Sequence, residues 1–404
     1  MNIFIIGGFG YNYIKLEKWL PKRDNRNYYF LVKSHHYDEF FEKLKNRDDI
    51  NLIKIEKWYD SNDIELFIYK FSQKERIDRI ISLREEEVVR VAKIRKFLEI
   101  PGLQPFAAKL FRDKFEMKKF VRNNGIKTAD YWKVNSIIDA LESVKNDGYN
   151  FPYILKPIDG AGSKNTFVLN CISDIENIEA EYFNNSILES FVSGEVYHID
   201  ALYTQNTCRY ISAAKYINNP LEFKKGKSTA SMFLTQDVPE TSKIIEFSKN
   251  VCSIMPLTEN CIIHLEVFYN GLDIIFNEIA IRLGGGRIID TVEREFSLNL
   301  LEEFVRAECG FTYDNVILPE WTKPRGFLLV VPKTGVLTKM PSSIPEEGID
   351  SYEVFAKPGQ SYSGAISSIQ ATAAVEVHEE NNEKLEKKIL KLEKWFSENI
   401  EYEK

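Results

Sequence analysis

The stretch that decides the fold is His264-Leu-Glu-Val-Phe-Tyr-Asn-Gly-Leu-Asp-Ile-Ile-Phe-Asn-Glu-Ile-Ala-Ile-Arg-Leu-Gly-Gly-Gly-Arg287. Two runs rich in β-branched and aromatic residues, 261–269 and 272–281, flank Asn270-Gly271, the strongest short-range hairpin signal a chain can carry. Each arm holds one carboxylate, Glu266 and Glu278. On strands that otherwise read as core-facing, ionised groups need a cation or hydrogen-bonded partners, and a divalent metal supplies one. Arg282 and Arg287 follow, separated by glycines that let backbone approach a ligand closely. Carboxylates for a hard cation followed by arginines for anionic oxygens point to a site for Mg-nucleotide beside an acid. The plainer alternative is a hairpin with two surface glutamates and a flexible turn.

The register makes a demand. In a strict two-residue Asn270-Gly271 turn, Tyr269 pairs with Leu272 and Glu266 with Ile275, so Glu278 faces the opposite side. Sharing a metal requires one extra residue, either a three-residue loop at 270–272 or a bulge in one arm. The expected result is Glu266 opposite Phe276, with Glu278 its diagonal neighbour, both facing Lys156.

The chain has 404 residues, enough for two or three domains, and its 44% hydrophobic and 28% charged residues are ordinary for a soluble globular protein. Against 53 Lys+Arg stand 60 Asp+Glu, net −7, so no basic field marks a nucleic-acid binder. No apolar run reaches membrane-spanning length, and the apolar start lacks a basic n-region and a cleavage site, so it reads as a buried strand. Five scattered cysteines with no Cys-x-x-Cys spacing imply reduced thiols and a cytoplasmic setting.

Strand candidates at 3–7, 28–33, 51–56 and 78–83 alternate with helical stretches near 13–20, 37–46, 61–72 and 86–98, a small doubly wound α/β domain over 1–105. It lacks a dinucleotide fingerprint: Tyr13 occupies the third glycine position, and Lys33-Ser34-His35-His36 stands where an acid is needed. Pro101-Gly102 opens a central domain, 106–320. There Asp113-Lys114 begins an amphipathic helix closed by Gly125, and a cation at a helix start wants an anion nearby. In Lys156-Pro157-Ile-Asp-Gly160-Ala161-Gly162-Ser163, a lysine ends an apolar strand before a small-residue loop that can fold over phosphates; a lid subdomain spans about 150–192. Glu189-Ser-Phe191-Val192 offers extended backbone to an adenine edge and Glu195 a carboxylate to ribose hydroxyls, whereas His198 reads as a satisfied core histidine. A helix at about 240–255 leads into the hairpin, another runs over 295–309, and Pro319 and Pro324 mark a second boundary. The last domain, 321–404, has short strands at 326–331, 336–340, 351–355 and 372–377 and a final helix at 383–398.

Taken in order, these motifs resemble the ATP-grasp superfamily of carboxylate–amine ligases, and bacterial L-amino-acid ligases in particular through Leu-Gly-Gly-Gly-Arg287. The resemblance implies an α/β (α+β) ATP-grasp architecture with an N-terminal α/β domain, a two-lobed ATP-binding domain and a small β-rich C-terminal domain. It casts Lys114 and Lys156 as nucleotide lysines and Gly160, Gly162 and Ser163 as the phosphate-covering loop. Glu189, Phe191 and Val192 become the adenine hinge, Glu195 the ribose acid, Glu266 and Glu278 the metal ligands, and Arg282 the stabiliser of the transferring phosphate. Arg287 is the candidate for holding the acyl substrate or acyl phosphate. One departure is Ala280, where many members carry asparagine; Asn277-Glu-Ile-Ala-x-Arg282 is instead similar to carboxyaminoimidazole ribonucleotide synthetases. The implied cofactors are ATP and Mg²⁺, with Mn²⁺ an alternative. The implied reaction activates an amino acid as an acyl phosphate and joins it to an amine, most simply a second amino acid. A carrier-protein thiol as acceptor and a non-catalytic nucleotide-binding regulator are the other readings, and a homodimer is a family-level expectation.

Overall fold

A computed structural model describes residues 1–22, 25–59, 61–311, 320–321 and 323–403, so the expected boundary mark Pro319 lies outside the described residues. The N-terminal strands Asn2–Ile6, Asn27–Lys33, Ile50–Ile55 and Arg79–Ser82 form a parallel sheet in which the first strand lies between the second and the fourth. Ile3, Phe4, Ile5 and Ile6 are fully buried in succession, as a strand covered on both faces by crossover helices must be. Strand order reverses between the first and fourth strands, and such a switch point opens a crevice beyond their carboxyl ends. Phe9 and Tyr13 follow one of those ends, and Arg84 and Glu85 the other. The first helix, expected over about 13–20, is only Leu16–Trp19.

An eight-stranded antiparallel sheet forms the centre, running Ile274–Ala280, Cys261–Tyr269, Glu195–Thr204, Thr207–Tyr216, Thr229–Phe233, Arg325–Val330, Ala373–His378 and Ile349–Val354 in spatial order. Three strands from the C-terminal part therefore extend the central sheet. A second, four-stranded sheet joins Tyr131–Val134, Ser186–Ser190, Tyr153–Pro157 and Phe167–Leu169. Residues of both sheets line one cleft between them. The helix expected over 295–309 is instead two helices, Ile288–Phe296 and Leu300–Glu308. Ser297 takes a left-handed φ of 51° and ends the first, while the Asn299 side chain accepts from Leu301 N and Glu302 N to start the second. The final helix, Asn382–Asn399, buries Leu385, Ile389, Leu392 and Phe396 at helical spacing. No helix among the described residues is long and apolar enough to cross a membrane.

Candidate nucleotide and metal site

The hairpin is irregular, though not in the expected register. Tyr269 pairs with Ile274 across the four-residue connection 270–273, in which Asn270 Oδ1 accepts from Leu272 N and Asp273 N. That loop length alone would still set the glutamates on opposite faces, because the side-chain period is two. A bulge at Asn277 adds the needed residue, so Glu266 pairs directly with Glu278. The expected pairing of Glu266 with Phe276 is thus corrected: Phe276 pairs with Val267, and the carboxylates face each other squarely instead of diagonally.

Asn277 joins them in the cleft. Its Nδ2 donates to Glu266 Oε2 at 3.1 Å, and its Oδ1 accepts from Lys156 Nζ at 3.3 Å. Tyr216 Oη donates to the other Glu266 oxygen at 3.2 Å, and Lys114 Nζ lies 3.1 Å from Glu278 Oε2. Burial would raise the Glu278 pKa, but Lys114, Lys156 and Arg282 together hold it below the ordinary carboxylate value. Two opposed carboxylates beside an amide make an all-oxygen donor set of the kind a hard divalent cation takes, so these residues fit a metal. The bulge also supplies an amide that Ala280, buried beside His264, does not.

Lys114 stands at the start of helix Lys114–Asn123, whose cap Asp113 accepts from Phe115 N and Glu116 N. The lysine side chain folds back to donate to Gly160 O at 2.6 Å, tying the helix to the small-residue loop. Lys156 reaches the cleft from strand Tyr153–Pro157 and pairs with Glu189 at 3.1 Å. Burial alone would lower the Lys156 pKa, yet Glu189, Glu278 and Glu266 hold it above the ordinary lysine value. A third lysine, Lys118, is fully buried with Nζ 3.4 Å from Glu189 Oε1, and burial pulls it down to about 8 although Glu189 opposes the shift. Lys118 and Lys156 together keep buried Glu189 below the usual carboxylate range despite its desolvation.

Lys114, Lys156, Gly160, Gly162, Ser163, Glu189, Phe191, Val192, Glu266 and Glu278 all border one cleft. The backbone of 190–191 is less free than expected: Ser190 N donates to Asp130 O at 2.9 Å and Phe191 N to Pro152 O at 3.1 Å. Glu195 stands outside the cleft lining, its exposed carboxylate 3.7 Å from Lys215 Nζ. Arg282 and Arg287 border a second cavity of about 430 Å³ that shares Glu266, Glu278 and residues 161–163 with the first. Arg282 Nε donates to Glu85 Oε2 at 2.8 Å, and Arg112 also pairs with Glu85. Arg287 pairs with Glu353 and lies 3.5 Å from Asp290.

Sequence reasoning did not single out Lys118, Tyr216, Glu85 or the amide role of Asn277. Lysine at the fourth position after Lys114 on an amphipathic helix was the one available signal, since it falls on the buried face. Behind Glu266 lies a closed polar network: His198 Nδ1 and His264 Nδ1 bond Asp200 at 2.7 and 2.9 Å, and His198 Nε2 bonds Ser231 Oγ at 2.7 Å. Those atoms lie close enough to ligate an ion, but they already satisfy one another, as in a structural network. The glycine turn packs directly on it, since a Cβ at Gly284 would lie 2.6 Å from Asp200 Oδ1.

Residues 111–284 match the model of the ATP-grasp domain. An L-arginine-specific L-amino acid ligase of Bacillus subtilis is 30% identical over 213 residues, 50% of each chain. A phosphoribosylamine–glycine ligase of Helicobacter pylori is 29% identical over 135 residues, 32% of this chain and 30% of the relative. The chain thus spans half or less of the length of these relatives. Among solved structures, L-amino acid ligase from Bacillus licheniformis aligns with a TM-score of 0.73 at 16% identity, over 100% of this chain and 99% of that one. N5-carboxyaminoimidazole ribonucleotide synthetase from Thermotoga maritima aligns at 0.66 and 18% identity, over 97% and 98%. At such identities the likeness speaks for the fold alone. The matched residues, the two-sheet cleft and these relatives agree in what the chain is similar to: residues 111–284 match an ATP-grasp domain, of a superfamily whose ligases use ATP and divalent metal ions, and the whole chain shares its fold with solved members.

Proposed function

We propose that this protein is an ATP-dependent ligase that activates an amino-acid carboxylate as an acyl phosphate and joins it to an amine, most simply a second amino acid. The observation that carries this reading is that the nucleotide cleft and the larger cavity share one border, made by Glu266, Glu278 and residues 161–163. In the proposed reaction a substrate carboxylate oxygen attacks the γ-phosphorus of ATP in line while the bond to the β-phosphate oxygen breaks, giving acyl phosphate and ADP. The amine nitrogen then attacks the acyl carbon, phosphate leaves, and the nitrogen loses a proton. The protein's part is to place and neutralise charge. Lys114 and Lys156 reach the phosphates, Arg282 faces the developing negative charge from the second cavity, and the loop at 160–164 covers the phosphates from water. Glu266 and Glu278 would hold Mg²⁺ or Mn²⁺, which when bound supplies positive charge beside the phosphate oxygens. In this reading Arg287 serves the acyl substrate, Phe191 and Val192 the adenine, and Glu195, from outside the cleft lining, the ribose. A division at 1–105, 106–320 and 321–404, a cytoplasmic setting and a homodimer belong to the same proposal.

The test is ADP and phosphate release with Mg²⁺ and ATP against single amino acids, pairs of amino acids and a carrier protein, with products identified by mass spectrometry. Equimolar ADP, phosphate and amide with a pair of amino acids is the expected result. Turnover only with a carrier protein would move the acceptor to a thiol, and no turnover with any of them would leave a nucleotide-binding regulator.

A further inference from the structure

We infer, resting on the nucleotide role proposed above for Lys156, that Lys118 is a positioning residue of that site: its buried ammonium holds the Glu189 carboxylate from behind, so that the charge of Lys156 stays available to phosphate. Among the described residues lining the nucleotide cleft, the carboxylates are Glu189, Glu266 and Glu278. Glu266 and Glu278 face each other as the pair that fits a divalent ion, which leaves Glu189 as the anion able to quench Lys156. The four-stranded sheet brings the two together. Lys156 pairs with Ile187 across antiparallel strands, so Glu189, two residues on, is its diagonal neighbour on the same face. Lys156 Nζ lies 3.1 Å from Glu189 Oε2. A lysine held by that carboxylate alone would meet a phosphate with its charge largely cancelled.

Lys118 approaches the other side of Glu189. It stands one turn after Lys114 on the same face of helix Lys114–Asn123, but it is fully buried and outside the cleft lining, so it acts on a nucleotide only through a neighbour. Its Nζ lies 3.4 Å from Glu189 Oε1, the oxygen that Lys156 does not use. Neither of those two atoms has a hydrogen-bond partner among the described residues, and the Phe276 ring lies 5.9 Å from Nζ. The contact is therefore a charge beside a charge without a directed bond. Stripping an ammonium of water for one such contact is a poor way to stabilise a fold, so its consequence is sought at Glu189. With Lys118 behind it, that carboxylate is shared between two ammonium groups. Two lysines against one glutamate leave one net positive charge, and the lysine that reaches the cleft is Lys156.

The experiment measures equilibrium binding of ATP with Mg²⁺, and of adenosine, at pH 7 and without amino acid, to wild type, Lys118→Met, Glu189→Gln and the double variant. At that pH Lys118 is protonated, since burial brings it down only to about 8. Lys118→Met should weaken ATP binding about 10-fold, a coupling of the size found within one salt-bridge network. Adenosine has no phosphate for Lys156 to meet, so its affinity should change by less than about 2-fold. In the Glu189→Gln background Glu189 no longer quenches Lys156, and a buried Lys118 without its counter-charge is driven neutral. There Lys118→Met should change ATP affinity by less than about 2-fold. The double variant buries neither charge, which separates this readout from the cost of an unpaired buried carboxylate. Wild-type ATP affinity in Lys118→Met, equal losses for ATP and adenosine, or the same loss of ATP affinity in both backgrounds overturns the inference and leaves the nucleotide site standing. Failure of the wild type to bind ATP overturns the nucleotide reading itself, and the inference with it.

Discussion

Replacing Glu278 by glutamine removes one negative charge from the site with almost no change of shape. In the folded protein that carboxylate lies 3.1 Å from Lys114 Nζ, with Lys156 and Arg282 also acting on it. Glutamine keeps an oxygen that can still accept from Lys114. The cost to folding is then the difference between a charged and a neutral hydrogen bond, about 1 kcal/mol. For a chain of this size that amounts to a fall in Tm of roughly 2 °C, which leaves the fold intact. Catalysis should respond far more. The lost charge is one of the two facing carboxylates that fit a divalent ion, and its removal also leaves Lys114 without its counter-charge beside the phosphates. Loss of a single preorganised electrostatic contact costs about 10²- to 10³-fold in kcat, and Glu278→Gln is expected at or beyond that range. The assay is coupled ADP release across a Mg²⁺ titration, with circular dichroism melting on the same samples. Wild-type kcat with wild-type Mg²⁺ dependence would refute the assignment of the facing pair, and loss of the cooperative melt would refute the stability argument.

Lys156→Ala should raise the KM for ATP or lower kcat by on the order of 10²-fold; wild-type ATP kinetics in that variant would remove Lys156 from the nucleotide site. The loop at 160–164 is tied down by few bonds, among them Lys114 Nζ to Gly160 O and Ser368 N to Gly162 O, so its amides should exchange quickly in the free protein and slowly with ATP and Mg²⁺. Equal protection in both states, measured by hydrogen exchange, would count against closure on phosphates. Burial holds Lys118 at about 8 against an ordinary 10.5, so between those pH values the unfolded chain keeps a proton that the folded chain has released, and stability rises with pH. The gain from this group is about 3 kcal/mol, 1.36 kcal/mol for each pH unit between the two values, and it should be missing in Lys118→Met when urea unfolding is compared at pH 8 and 10.5. The same pH dependence in both proteins would show that Lys118 is not the group responsible.

The amino-acid sequence determined what local chemistry can determine. Apolar runs alternating with helical stretches specified the parallel N-terminal sheet, Asn270-Gly271 with its flanking β-formers specified the hairpin, and Lys114, Lys156, Glu189, Glu266 and Glu278, singled out one motif at a time, meet at one cleft. Parity even required an irregularity in the hairpin, because strand side chains alternate with a period of two. Where that irregularity falls was a tertiary matter. A four-residue loop with a bulge at Asn277 satisfies the same parity as the three-residue loop or the bulge in one arm that the sequence left open, and pairing of Cys261–Tyr269 with the neighbouring Glu195–Thr204 strand constrains the register from the other side. The break at Ser297 was equally hidden, since a single serine in the left-handed region leaves the helical periodicity on either side unchanged. Which charges cancel which was decided only by folding. Arg282 meets Glu85 across 197 residues of sequence and Arg287 meets Glu353 across 66, so these pairs cannot be read from spacing. Local rules act over a few residues, whereas burial, counter-charge and the shape of a cavity are properties of segments that meet only when the chain is closed.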